Sequence, residues 1–484
     1  MKNKRFICLL LVMTLLVLPV TSFAATFTKT KTTDVSLLQN GDFDIAYSDA
    51  DYSRNGISSY AISNYASASE YLYNALKNVE DSIDVSAYNI PVEEFSDFFC
   101  KVVNDNPDLF FVSSSISYSY YPSTGATAFV MPCYSMTADE ISSANVIFNN
   151  GVQKALSCVD NSMTDLQKAL VIHDYICDNA VYKENGYITH SAYGFFYNGE
   201  VVCAGYTLAY AYLLNQLGID TAHISSNAMK HAWNAVCIDG KWYQCDVTWD
   251  DINASNGSEP INVLGNFEHV NFMKSNDYFA SLNGSYHYGG TTYDSISLNN
   301  TDYDSYFWDK VMSKIIVKDG YYYYMQPVSS GSYLMKRDVN GNETRFSNSS
   351  FSAAKLTLTS EPTDSSGNTS TLTLDDYLYR LDYLDNRFYV TSGYSMVSSV
   401  SNNGRVQTIT PSSTSYIRGM SVVNNEIVIQ DYNSIDSIVV YDKYEYFSNY
   451  MSKINNNTYN NYPDIDNDGY VNAKDYALIK KQKA

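Results

Sequence analysis

Positive charge is scarce in this chain. Among 484 residues, 31 Lys and Arg stand against 52 Asp and Glu, a net charge of −21. Lys2, Lys4 and Arg5 fall in residues 1–25, which hold no acid, so the remainder is more acidic still. Such a surface repels phosphate backbones and offers no basic stripe, which excludes nucleic acid as a partner. Charged residues make up only 17% against 45% hydrophobic, which excludes long disorder and a pure coiled coil. There is no Cys-x-x-Cys pair and no zinc-ligand spacing. After Phe6–Val20 no stretch is apolar enough to cross a membrane.

What is present begins with the first residues. Met1–Arg5 is basic, Phe6–Val20 is apolar, and Ser22-Phe23-Ala24 precedes Ala25. This pattern predicts a secretory signal peptide over residues 1–25 and a secreted protein, extracellular or held in a cell-surface complex, with no membrane partner after cleavage. Seven cysteines then remain: Cys100, Cys133, Cys158, Cys177, Cys203, Cys237 and Cys245. An odd count leaves at least one thiol unpaired within the chain; buried thiols without any disulfide fit equally well. Tyrosine is abundant, at 46 residues. Strand preference accounts for that, and a sticky aromatic surface for glycans or proteins is the alternative.

The length suggests roughly three domains. Residues 26–60 read as a loose lead-in, and residues 26–149 as a small α+β domain with helical signals at 71–76 and 95–103. A turn at Asn106-Pro107-Asp108 leads into a strand over 109–112, and a capping box runs from Thr137 to Glu140. Within residues 150–300, Thr164 and Gln167 open a helix to about residue 180, and a second runs from Cys203 to Leu217 before Gly218. Asp239-Gly240 joins runs 231–238 and 241–249 as a hairpin. Residues 301–447 repeat short strands and polar turns in two four-strand, blade-like units and part of a third, a β-rich module. An Asn-rich linker over 448–462 and an acidic segment over 463–484 follow.

Cys203 falls at a helix N-terminus, after the strand-like 200–202. Free backbone amides and the helix dipole there stabilise a thiolate and can cradle an oxyanion. The second oxyanion donor stays open, with Tyr175 and Tyr193 as weak candidates. In the hairpin, paired residue numbers sum to a constant set by Ile238 facing Lys241. Asp246 then faces Trp233, Thr248 faces His231, and His231 and Asp246 share one face as diagonal neighbours. A carboxylate there orients the imidazole while the other ring nitrogen meets a thiol. The same register puts Cys237 and Cys245 on opposite faces, so they form no disulfide.

These segments carry a resemblance. Gly199-Glu200-Val201-Val202-Cys203-Ala204-Gly205-Tyr206, Lys230-His231-Ala232-Trp233-Asn234 and Trp242-Tyr243-Gln244-Cys245-Asp246-Val247-Thr248-Trp249-Asp250 resemble the cysteine, histidine and aspartate motifs of the transglutaminase-like superfamily. The helix carrying His173-Asp174-Tyr175 is similar to that of bacterial members. The resemblance covers about residues 150–290. It implies a papain-like core with Cys203 as nucleophile, His231 as general base and acid, and Asp246 as the orienting carboxylate. It implies no cofactor for the triad chemistry, and a protein or peptide amide as substrate. The thioester at Cys203 would pass to water (protease or amidase) or to a lysine amine (cross-linking acyltransferase), and similarity to bacterial members favours hydrolysis.

At the C-terminus, Asp464, Asp466, Asp468, Asn472 and Asp475 place oxygens at loop positions 1, 3, 5, 9 and 12, with Gly469 at the turn and the Tyr470 carbonyl between. The spacing suits Ca²⁺ in an EF-hand-like loop, with Asp in place of Glu at position 12. With the helix start Ala477–Lys481 it resembles one repeat of a type I dockerin, where dockerins carry two. That implies a cohesin-bearing scaffold of the cellulosome type, and a part in polysaccharide catabolism. The expected architecture is therefore α+β: a papain-like core behind a small α+β domain, then an all-β module and a short calcium loop. The rival reading is a catalytically inactive extracellular module whose Tyr-rich β region binds glycan or protein.

Overall fold

The computed structural model describes residues 28–43, 59–252, 263–281, 296–328, 331–352, 354–360, 372–392, 396–409, 417–423, 426–431 and 438–441. The signal peptide, the Asn-rich linker and the calcium loop with Asp464, Asp466, Asp468, Tyr470, Asn472 and Asp475 all lie outside them. Helix and sheet are mixed, as an α+β class requires. No helix among the described residues is long and apolar enough to cross a membrane.

The first segment departs from the expected loose lead-in. Lys29–Asp34 is a strand paired antiparallel with Val112–Tyr120, at the edge of a four-stranded sheet. Its alternating Lys and Thr expose nearly every side chain, so it buries no apolar face that a pattern could reveal. The strand expected over 109–112 also begins later. Pro107–Leu109 forms a 3-10 turn, and pairing starts at Val112. Helices Ser59–Lys77 and Phe95–Asn104 include the helical signals at 71–76 and 95–103. Phe95, Phe98 and Phe99 put an aromatic stripe into the core.

Two capping boxes form as their sequences dictate. The Thr137 side chain accepts the Glu140 amide and opens Ala138–Leu156; Thr164 does the same with Gln167 and opens Asp165–Asn179. Helix Cys203–Gln216 lies at the centre, buried on nearly all sides, and ends as Gly218 takes φ 76°. The three-stranded antiparallel sheet Thr221–Ser226, His231–Ile238 and Lys241–Cys245 packs on this helix. Asn234 Nδ2 ties the two layers by donating to the Thr207 carbonyl at 3.1 Å.

Beyond residue 315 the blade-like units are sheets of four strands in chain order. One runs from Ile316–Lys318 to Glu343–Phe351, the other from Leu381–Leu384 to Val406–Ile409. Tyr323, Met325, Leu334, Phe388, Val390 and Val400 pack between them. A two-stranded pair, Ala354–Ser360 with Leu372–Leu378, lies between them in the chain and has no counterpart in the expected units. The β region is anchored to the central helices by Lys314, whose Nζ meets Asp178 at 2.7 Å and Asp382 at 2.8 Å.

Candidate active site

The strand pair Val181–Tyr182 and Glu200–Val201 delivers the chain to Cys203. Val202 fixes the approach by donating its amide to the Thr189 carbonyl at 2.9 Å, and its own carbonyl accepts the Tyr206 amide at 3.1 Å. The amides of Cys203, Ala204 and Gly205 thus precede the intrahelical ladder, where an anion would be received. Gly205 is required here: a Cβ would stand 2.6 Å from the Thr189 carbonyl oxygen and 2.6 Å from Val201 Cγ1. Cys203 is 3% exposed, and its Sγ lies 3.9 Å from the Lys230 carbonyl.

The hairpin holds the other two residues. Asp239 at φ 51° and Gly240 at φ 75° make the two-residue turn, and the observed pairs, from Ile238–Lys241 to Asn234–Cys245, are those of the expected register. Cys237 and Cys245 are both free thiols, Cys245 buried and Cys237 half-buried. Pairing stops at Cys245, however. Asp246 does not continue the strand; it caps a one-turn helix, Val247–Asp250, with Oδ1 accepting the Trp249 amide at 3.0 Å. Thr248 therefore sits in a helix and does not face His231 across a ladder. Trp249 takes up a ring contact with His231 at 5.6 Å, while Trp233 stacks on it at 5.5 Å.

His231 Nε2 meets Asp246 Oδ2 at 2.6 Å, and both groups are buried. Burial works against the charged imidazole, but the Asp246 carboxylate outweighs it, helped by a hydrogen bond with the Cys203 side chain. The result is a His231 pKa raised to about 10. With Nε2 committed to Asp246, Nδ1 is the nitrogen turned to the thiol. The structure thus brings Cys203, His231 and Asp246 together.

Neither tyrosine considered as a second oxyanion donor is held for that task. Tyr193 stacks on Phe110 at 4.5 Å, and Tyr175 packs edge-on to Phe195. Tyr182 is the tyrosine that senses the site. It pairs with Val201, two residues before Cys203. Burial pushes its hydroxyl up to about 12, with the negative charge of Cys203, Glu184 and Asp246 adding to the effect. It keeps its proton at neutral pH and remains a donor. Position 182 was legible only as the end of a helix, since nothing in the local sequence tells which turn it flanks.

A second polar cluster lies behind the first. His173 Nδ1 and His269 Nε2 both meet Asp174 Oδ1, at 3.0 and 2.9 Å. His173 Nε2 meets Asp250 Oδ2 at 3.1 Å, and His269 Nδ1 meets the Val311 carbonyl at 3.1 Å. The Val311 carbonyl can only accept, so His269 Nδ1 donates to it, while Cys177 Sγ lies 4.0 Å from His173 Nε2 beside Asp250. Burial opposes a charge on His173, yet its bonds to Asp174 and Asp250 raise it to about 9. Burial likewise opposes the Asp174 charge, and His269 and His173 lower it to about 2. The Ile315 amide completes Asp174 at 2.8 Å. His173, Asp174 and His269 offer ligand atoms within 4.8 Å of one another, a spacing that could hold a metal ion. Their direct pairing into a filled hydrogen-bond network is the arrangement observed.

Residues 153–247 match the family model of the transglutaminase-like superfamily. That segment runs from the helix before Thr164 to one residue past Asp246, and so contains Cys203, His231 and Asp246. Among solved structures, a chain described as "Crystal structure of a TGase" is similar at 14% identity, with a TM-score of 0.20. The match covers 31% of this chain and 46% of that one, less than half of its length. No curated protein matches the chain. A transglutaminase-like segment indicates a cysteine-based enzyme.

Proposed function

We propose that the chain is a secreted transglutaminase-like cysteine enzyme acting on protein or peptide amide bonds through a thioester at Cys203. The observation that supports this most is the 2.6 Å contact of His231 with Asp246, on the ring nitrogen opposite the one that meets the Cys203 side chain. In this reading the Cys203 proton passes to His231 Nδ1, and Asp246 stabilises the imidazolium so formed. Sγ attacks the amide carbon. The oxyanion is received by the Cys203 amide at the helix start, with the Tyr182 hydroxyl as second donor. The imidazolium then gives its proton to the departing amine as the C–N bond breaks, leaving the thioester. Water or a lysine amine, deprotonated by His231, resolves it and restores the thiol. Water gives an acid, and an amine gives a new amide.

The C-terminal segment takes a second part in the proposal. Asp464, Asp466, Asp468, the Tyr470 carbonyl, Asn472 and Asp475 would hold Ca²⁺ and dock the enzyme to a cohesin-bearing scaffold. The deciding experiment is the rate of Cys203 alkylation by iodoacetamide near pH 6, read by peptide mass spectrometry beside the His231→Ala variant. Fast labelling of Cys203 that is lost with His231 supports the triad. Labelling no faster than at the other cysteines removes it, and a binding module becomes the better account.

A further inference from the structure

The helix Val247–Asp250 has four residues, too few to be held by its own hydrogen bonds. Yet its N-cap is Asp246, the carboxylate on which the orientation of His231 depends. Something outside the helix must fix it, and the contacts at its far end show what does.

Asp250 is gripped on both oxygens. Its Oδ1 accepts the Asn271 amide at 2.8 Å and the Asn271 side chain at 3.1 Å, and its Oδ2 accepts from His173 Nε2 at 3.1 Å. The next residue is gripped from the other side. Tyr206 donates its hydroxyl to Asp251 Oδ2 at 2.7 Å. Tyr206 lies one turn after Cys203 on the same helix and is fully buried. The nucleophile's own helix therefore holds the segment that carries Asp246, and the helix Asp165–Asn179 holds it through His173.

Resting on the triad reading above, we propose that Tyr206 and His173 are positioning residues for the reaction: through Asp251 and Asp250 they set where Asp246 stands, and through Asp246 the angle of the His231 ring against Cys203. Neither touches the reacting atoms. Their leverage comes from geometry, since misplacing a reacting group by 1 Å costs roughly a hundredfold in rate. The Asp246-x-x-x-Asp250-Asp251 spacing makes the coupling possible. One turn of helix separates the functional carboxylate from the pair that is clamped.

The test uses the full chain with Tyr206→Phe, which removes only the hydroxyl, and His173→Gln, which removes one of two donors. Three quantities are measured: the iodoacetamide rate at Cys203 against pH, its ratio to the rate at Cys237, and the thermal midpoint. For Tyr206→Phe the expected result is a folded protein whose Cys203 rate falls about tenfold or more, below the hundredfold ceiling of a full 1 Å displacement. Its acid limb should move to higher pH, because a weaker His231–Asp246 pairing leaves the imidazolium less able to stabilise the Cys203 thiolate. His173→Gln should shift the limb the same way. If it does not fold, Tyr206→Phe decides alone. An unchanged rate and limb in folded Tyr206→Phe overturns the proposal, and so does a lowered thermal midpoint with an unchanged limb, which is a merely structural role. A wild-type Cys203 that labels no faster than Cys237 is a different failure, that of the triad itself.

Discussion

Asp246 builds the turn that brings Trp249 to His231. Its Oδ1 accepts the Trp249 amide at 3.0 Å, and the Trp249 ring then lies 5.6 Å from the imidazole that its Oδ2 holds. One side chain is thus both a helix cap and the partner of His231, the proposed general base. The two roles separate under mutation. Asp246→Asn keeps an oxygen for the cap but presents an amide donor to Nε2. The imidazole must then carry its proton on Nδ1 and cannot accept one from the thiol. We expect a folded protein, with Cys203 alkylation and turnover down by roughly 10²–10⁴-fold. Asp246→Ala should in addition lose about 1 kcal/mol of stability with the cap. Urea melts beside alkylation rates distinguish the two.

At Gly205 the constraint is steric. The Thr189 carbonyl is backbone and cannot swing away from a new methyl 2.6 Å off. Gly205→Ala should cost about 1–3 kcal/mol through overpacking, and should also displace the start of the nucleophile helix. A urea midpoint equal to wild type would refute it.

Tyr182→Phe tests the oxyanion assignment. Loss of one donor lowers kcat by roughly 10²–10³-fold when the donor meets developing charge, with little change in KM. Unaltered kcat on a peptide amide would assign the donor elsewhere.

The histidines give stability a pH signature. His173 and His231 are raised from 6.5 to about 9 and about 10, so each binds its proton more tightly folded than unfolded. Their contribution is complete below pH 6.5 and is lost as pH rises through 9 to 10. Asp174, lowered from 3.8 to about 2, contributes above 3.8 and loses that contribution as pH falls toward 2. The thermal midpoint should therefore fall on both flanks, and His231→Ala should flatten part of the alkaline one. A midpoint that stays level from pH 6.5 to 10 in the wild type would contradict these shifts.

For the C-terminal loop, titration calorimetry of the full chain with Ca²⁺ should give one site, abolished by Asp464→Ala. The absence of any binding heat would remove calcium from the proposal.

What the sequence made legible follows from how local the determining contacts are. Thr137 with Glu140, Thr164 with Gln167, and Asp239 with Gly240 act over two to four residues, so both caps and the hairpin register could be read directly. Cys203 at a helix start and His231 beside Asp246 follow from those elements. The apolar richness of Lys241–Trp249 predicts a strand as far as Trp249, whereas pairing ends at Cys245. The Asp246 side chain competes with the ladder by capping Trp249, and the apolar pattern does not report that. The edge strand Lys29–Asp34 has no buried face that an apolar pattern could report. The cluster around His173 was invisible because its partners are remote: Asp250 is 77 residues away along the chain, and His269 is 95 from Asp174. Tyr182 carries no local signal, because the charge that marks it belongs largely to residues 203 and 246, brought near only by the fold.

The cluster also decides how the chain can be cut. His269 Nδ1 donates a hydrogen bond to the Val311 carbonyl, and Asp174 accepts one from the Ile315 amide. Both partners lie past residue 300, outside the stretch that carries the triad. A fragment ending at 300 would keep every residue of the triad and still strand a buried imidazole and a buried carboxylate without those partners, each lost bond costing about 1–3 kcal/mol. The shortest stable fragment that carries Cys203, His231 and Asp246 should therefore extend through at least Ile315.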